Sequence, residues 1–161
     1  MKKVLVSECL YGGRAVRHDG GEAAETDPRF LKWKGEGRLL PICPEVFGGL
    51  PTPRPDCQRA GGRVVTRAGA DVTKAFVAGA REALRMALAN DVAFAIMKQG
   101  SPSCGVSLIY DGSFSGGKTA GQGLATEFLR GAGFEVFCEE GIGAAAAALA
   151  RIEAGGYCSP T

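Results

Sequence analysis

The stretch TKAFVAGAREALRMALANDVAFAIMK, residues 73–98, changes its hydrophobic period midway. From Lys74 to Asn90 the apolar residues Phe76, Val77, Ala80, Leu84, Ala87 and Leu88 recur at helical spacing, and Thr73 stands where an N-cap is expected. From Val92 to Met97 every residue is apolar, and the run stops at Lys98. A strand without polar alternation is covered on both faces, as in a parallel sheet between helical layers.

The flanking sequence follows the same pattern. Short strands are expected at 3–8, 39–42, 106–110 and 134–137, and helices at 27–37, 120–130 and 144–154. Pro28 after Asp27 marks one helix start, with Phe30, Leu31 and Trp33 as its apolar set. Residues 9–21 read as a glycine-punctuated loop, and residues 44–61, with Pro44, Pro51, Pro53 and Pro55, as another. Arg63 to Thr66 is expected to pair with Asp71 and Val72 as a hairpin or flap. The expected fold is α/β: a three-layer, Rossmann-like domain over residues 1–161, with a mainly parallel sheet, a small β-hairpin or flap, and a disordered tail at 155–161.

Bulk composition narrows the function. A net charge of +2 gives no strong pull toward nucleic acid or a membrane surface, and 45% hydrophobic content is ordinary for a globular protein. No 18-residue apolar run is present, and the apolar run after Lys2 and Lys3 ends at Glu8, too short for a signal-peptide core. A cytoplasmic protein is expected. In that reducing setting the six cysteines read as metal ligands or reactive thiols rather than as disulfides.

Cys9, Cys43 and Cys104 each follow a short apolar run and stand beside or near a backbone breaker, as in Cys43-Pro44 and Ser101-Pro102-Ser103-Cys104-Gly105. Loops at the carboxyl ends of neighbouring parallel strands converge on one crevice. Three thiolates meeting there form a soft, incomplete metal cage with one position open to a substrate. Singly, each of these residues has an ordinary reading: a small buried cysteine, a solvated or capping Glu45, a turn-forming Ser101. Cys138 and Cys158 belong to no motif, and Cys57 is ambiguous. His18 reads as a loop residue, while Arg14 and Arg17 are candidates to admit a polar substrate.

The motifs Val6-Ser7-x-Cys9-Leu10-x-Gly12, Cys43-Pro44-Glu45-x-x-Gly48-Gly49-Leu50, Pro53-Arg54-Pro55, Ser101-Pro102-Ser103-Cys104-Gly105 and Tyr110-Asp111-Gly112-Ser113-Phe114 resemble a bacterial family first catalogued as domain of unknown function 523. Its characterised members are 2-thiouracil desulfidases, and related domains act on 4-thiouridine. The resemblance covers nearly the whole chain. It implies a [4Fe–4S] cluster held by Cys9, Cys43 and Cys104 with one iron open, and catalytic roles for Glu45 and Ser101. In one respect the chain departs from the family pattern: after Pro-Arg-Pro the family often has Pro-Ala-Glu, where this chain has Asp56-Cys57-Gln58.

The chemistry so implied is hydrolytic, non-redox desulfuration of 2-thiouracil, or a related thiolated pyrimidine, to uracil with release of sulfide. An open iron favours soft sulfur over oxygen, which selects a thiocarbonyl. Glu45 would activate water or attack directly, Ser101 would relay a proton, and Ser101, Ser103, Lys98 and Arg54 would bind substrate. A small-molecule substrate, no nucleic-acid or membrane partner, and a monomer or weak homodimer are expected.

Two rival readings stand. Gly112 to Thr119 spells the phosphate-loop pattern G-x4-G-K-T between a strand-like and a helical run, which would make the chain a nucleotide hydrolase. Against it, Asp111-Gly112-Ser113 reads as a turn, and no later apolar run ends in an Asp for Mg²⁺. Alternatively, Cys9, Cys43 and Cys104 with Cys57 would close a non-catalytic zinc site, although no C-x2-C pair is present.

Overall fold

The computed structural model describes residues 1–14, 16–21 and 23–155. The chain runs β1 (Lys3–Ser7), α1 (Glu8–Tyr11), α2 (Pro28–Gly35), β2 (Leu39–Ile42), α3 (Pro44–Phe47), β3 (Cys57–Ala60) and β4 (Arg63–Thr66). It continues through α4 (Thr73–Ala89), β5 (Val92–Met97), β6 (Leu108–Tyr110), β7 (Lys118–Ala120), α5 (Leu124–Gly131), β8 (Val136–Cys138) and α6 (Ile142–Glu153).

β2, β1, β5 and β8 form one parallel sheet in that order. Side chains alternate across it, as the strand period requires. Leu5, Ala95 and Met97 join Phe76, Ala80, Ala83 and Leu129 of α4 and α5 on one face. Val4, Val6, Phe94 and Ile96 join Phe30, Trp33, Ala145 and Leu149 of α2 and α6 on the other. All six residues of β5 are buried, the signature of a central strand under two helical layers. The three-layer α/β class read from the sequence is the one observed. From β1 the chain steps to β2 on one side and then crosses to β5 on the other. The crevice at the carboxyl ends of β1 and β5 is therefore a topological switch point.

Several local expectations give way. Thr73 is the first residue of α4 and not its cap: its hydroxyl accepts the Val64 N–H, while the Asp71 carboxylate accepts the Thr73 N–H, each at 2.9 Å. Leu31 and Leu88 are 46% and 60% exposed, because each lies about 100° around the helix beyond Phe30 or Ala87, outside the buried stripe. The Glu8–Tyr11 turn replaces the start of the expected 9–21 loop. The proline-rich span 44–61 contains both α3, which starts on Pro44, and β3. β4 pairs antiparallel with β3, and only Val65 bridges to Asp71.

The run 106–110 does not enter the main sheet. Its last three residues pair antiparallel with Lys118–Ala120, and the helix expected from Ala120 starts at Leu124. Lys118 and Thr119 thus lie in a hairpin strand, with no helix N-terminus behind them to cradle a phosphate. This overturns the phosphate-loop reading. Among the described residues, no helix is long and apolar enough to cross a membrane. Apart from Gly155, the tail expected to be disordered lies outside the described residues, as does Cys158.

Candidate functional site: a thiol-lined cavity

The three cysteine segments leave the sheet at its carboxyl edge: Cys9 in α1 after β1, Cys43 between β2 and α3, and Cys104 in the loop after β5. Two helices pin these segments. On α4, Gly79 faces the backbone of Pro44 so closely that any Cβ would overlap the Pro44 carbonyl. Before α5, a Cβ at Gly123 would likewise overlap the backbone of Ser103. The first N–H groups of α5 donate to loop carbonyls, Leu124 to Pro102 at 3.0 Å and Ala125 to Ser103 at 2.9 Å. Thr126 Oγ1 donates to the Cys104 carbonyl at 2.9 Å. Donors that would otherwise lack partners at a helix start thereby hold the loop that presents Cys104.

A cavity of about 240 Å³ opens here, and Cys9, Cys43, Cys104, Glu45, Ser101, Ser103, Lys98 and Arg54 all line it. Cys104 and Cys43 are buried and Cys9 is partly so. Burial pushes the Cys9 thiol up to about 11, and Cys43 adds to the rise. Burial raises Cys104 further, with contributions from Cys9 and Cys43 against an opposing hydrogen bond from Ser7. Burial also raises Cys43. The three sulfurs are therefore electrostatic neighbours in one chamber. Left free they stay protonated at neutral pH; a bound cationic centre displaces those protons.

Among the described residues, no three His, Cys, Asp or Glu side chains converge on a single ion. A tetrahedral zinc bound at about 2.3 Å per sulfur requires such convergence, so the closed zinc reading fails. A donor set of three thiols around a chamber suits a larger iron–sulfur group with a vertex left to solvent. Cys57 lines the same cavity but is engaged by its own segment. Its Sγ donates to the Pro55 carbonyl at 3.2 Å. Burial raises its pKa to about 11, followed by the charges of Glu45 and Asp56, with Arg54 opposing.

Glu45 is held at both oxygens. Arg54 Nε donates to Oε1 at 3.0 Å, and Ser103 Oγ donates to Oε2 at 2.8 Å. Ser103 has one hydroxyl proton, and a carboxylate can only accept it, so the 2.9 Å contact with Ser101 Oγ runs from Ser101 to Ser103. Ser101 Oγ also accepts the N–H groups of Ser103 and Cys104, each at 3.1 Å. Ser101 thus closes the turn with its hydroxyl oxygen and contacts Ser103 with its proton.

Arg54 lines the cavity with a guanidinium that the protein itself engages. Its side chain is 3% exposed. Its donors go to Glu45, Pro51, Thr52, Val16 and the Cys43 sulfur. Lys98 faces the cavity while pairing with Glu139 at 3.0 Å. Arg17 lines the cavity, but Arg14 is not on its wall and pairs with Glu8 at 2.8 Å. Tyr110 and Lys118 also line the cavity and were missed. Lys118 drew notice only inside the phosphate-loop pattern, and no local signal connects it to Cys9.

A model of the family described as 2-thiouracil desulfurase matches residues 4–141. The uncharacterized protein YbbK of Bacillus subtilis (strain 168) is 38% identical over 146 residues, 84% of this chain and 95% of its own. The solved structure of TudS, a [4Fe–4S]-dependent thiouracil desulfidase, matches with a TM-score of 0.91 and 46% identity, covering 93% of this chain and 99% of that one. The family match runs through every strand of the sheet and all three cysteine loops, and with these similarities it shows that the chain belongs to the 2-thiouracil desulfurase family.

Proposed function

We propose that this chain hydrolyses the C–S bond of 2-thiouracil or a closely related thiolated pyrimidine, with a [4Fe–4S] cluster held by Cys9, Cys43 and Cys104. The observation that carries the reading is the meeting of three mutually influencing thiols and a doubly held carboxylate in one chamber at the sheet's switch point. When bound, the cluster supplies a Lewis-acidic iron with a free position for a soft sulfur donor.

The chain's own groups do the proton work. Water adds to the carbon that bears sulfur, the C–S bond breaks, and sulfide departs. No net electron transfer occurs, so turnover needs no stoichiometric reductant. Glu45 takes the proton from the attacking water. Because Arg54 and Ser103 each hold one of its oxygens, we assign Glu45 as base and not as nucleophile. When Glu45 is protonated, both serine hydroxyls reverse, Ser103 donating to Ser101 and Ser101 to the pyrimidine, so the proton gained at Glu45 can return to the substrate along this path. Lys98 and Arg17 oppose the negative charge that gathers around the thiolates. Cys9, Cys43, Cys57, Cys104 and Cys138 are all free, which supports a reducing, cytoplasmic setting.

The deciding experiment is anaerobic iron and sulfide analysis, with sulfide release from 2-thiouracil, on the wild type and on Cys9→Ala, Cys43→Ala and Cys104→Ala. Each of the three loses the cluster and the activity. Glu45→Gln keeps its iron and loses about 10²- to 10⁴-fold in kcat. Loss of iron in only one cysteine variant removes the three-ligand assignment.

A further inference from the structure

The Asp56-Cys57-Gln58 segment lies where two hairpins meet. Gln58 on β3 is buried, 5% exposed. Its Oε1 accepts the N–H of Gly112 at 3.0 Å and that of Phe114 at 3.3 Å, both in the turn between β6 and β7. One amide oxygen with two lone pairs satisfies both donors. The turn sits hard against β3: Gly112 has φ +90°, and a Cβ there would come within 2.7 Å of the Arg59 carbonyl oxygen.

Phe114 has φ 58°, a left-handed conformation that bulky side chains seldom adopt. Its N–H is held by Gln58, and its carbonyl accepts from Arg67 Nη1 at 3.2 Å. The Arg67 guanidinium also lies 5.1 Å from its ring centroid. An uncommon backbone state fixed by several partners marks a position that the surroundings over-determine.

What the turn carries is part of the site. Tyr110 and Lys118, one on each strand it joins, line the thiol cavity, with the Lys118 ammonium 5.2 Å from the Tyr110 ring centroid. The hairpin is a separate two-stranded sheet: its base is tied to the segment after β5 by the Gly100–Ile109 bridge and by Gln99, which accepts from Val106, Ser107 and Leu108, while its turn end rests on β3. We propose that Gln58 is a positioning residue: it latches the β6–β7 hairpin over the cavity so that Tyr110 and Lys118 wall the substrate's side of the chamber. The thiol cage stands without it. This inference rests on the desulfidase reading for its effect on turnover, but not for the latch itself.

The test uses anaerobically reconstituted enzyme. Gln58→Met keeps the side chain's length and removes the acceptor; Gln58→Glu restores an acceptor. Arg67→Met, at an exposed position, removes the other partners of Phe114 and carries the same test should Gln58→Met not fold. In Gln58→Met, amide exchange at Gly112 and Phe114 rises about ten-fold or more. KM for 2-thiouracil rises about five-fold with kcat within about two-fold, and iron content stays full. Gln58→Glu restores slow exchange and low KM. Unchanged exchange in Gln58→Met, or faster exchange with unchanged KM, overturns the proposal. A wild type inactive on thiouracil overturns the functional reading instead, and the exchange rates then decide the latch alone.

Discussion

Replacing Arg54 by Met tests whether one buried guanidinium holds the site together. The side chain is 3% exposed and its partner Glu45 13%. It donates to Glu45 Oε1 at 3.0 Å, Val16 O at 2.8 Å, Thr52 Oγ1 at 3.0 Å and Pro51 O at 3.2 Å, joining the segment before α2 to the Cys43-Pro44-Glu45 corner. Met fills much of the volume but leaves Glu45 without its counter-charge and three acceptors without their donor. Truncating one partner of a buried ion pair costs about 3–5 kcal/mol. At about 2–4 °C per kcal/mol for a domain of this size, the expected fall in Tm is about 6–20 °C. Arg54→Lys recovers only part of it, because an ammonium cannot reproduce the planar fork. The assay is thermal unfolding under anaerobic conditions with iron measured on the same samples. Iron content falls with stability, since Arg54 also contacts the carbonyl of Val16, which accepts at 3.8 Å from the Cys43 thiol. A Tm within about 3 °C of wild type with full iron content would refute the reasoning.

Three further outcomes follow from the geometry. Gly79→Ala forces a methyl group into the Pro44 backbone, so it destabilises by about 1–3 kcal/mol or more and lowers cluster retention; wild-type stability and iron content would contradict the close approach. Cys57→Ala keeps its iron and its thiouracil desulfidase activity, because Cys57, although on the cavity wall, gives its thiol to the Pro55 carbonyl; loss of the cluster, read by absorption and iron analysis, would make it a ligand. Asp27 caps α2, and Arg29 side-chain and backbone hydrogen bonds bring its carboxyl from 3.8 down to about 2. Because the folded value lies below the unfolded one, this contribution is complete above about pH 4 and is lost as pH falls through about 2. Asp27→Asn still caps the helix but carries no charge, so its Tm falls less steeply over that window; an unchanged slope of Tm against pH would count against this assignment.

The fold was legible where periodicity is strong. The change of period between Ala89 and Val92 separates α4 from β5, because a helix face and a doubly buried strand impose different spacings on apolar residues. Weaker runs misled. Residues 106–110 are apolar enough for the sheet, yet their strand pairs with Lys118–Ala120, a stretch with no strand pattern of its own and exposed throughout. The same hairpin undoes the G-x4-G-K-T reading, for a phosphate loop needs a helix start directly behind it. The span 44–61 hid β3 because its prolines end before Cys57, and the ladder with β4 begins there.

The sequence by itself determined the α/β class and drew attention to Cys9, Cys43 and Cys104, because apolar period and a residue's place after an apolar run are properties of near neighbours along the chain; Glu45 and Ser101 came only through the family resemblance. Tertiary structure alone decided what those residues touch. Ser103 reaches Glu45 across 58 residues, and Gln58 reaches Gly112 across 54. Arg54 is held by partners on three segments. Such contacts depend on strand order and on how closely helices pack at Gly79 and Gly123, and those distances are set by the whole fold rather than by any local run of residues.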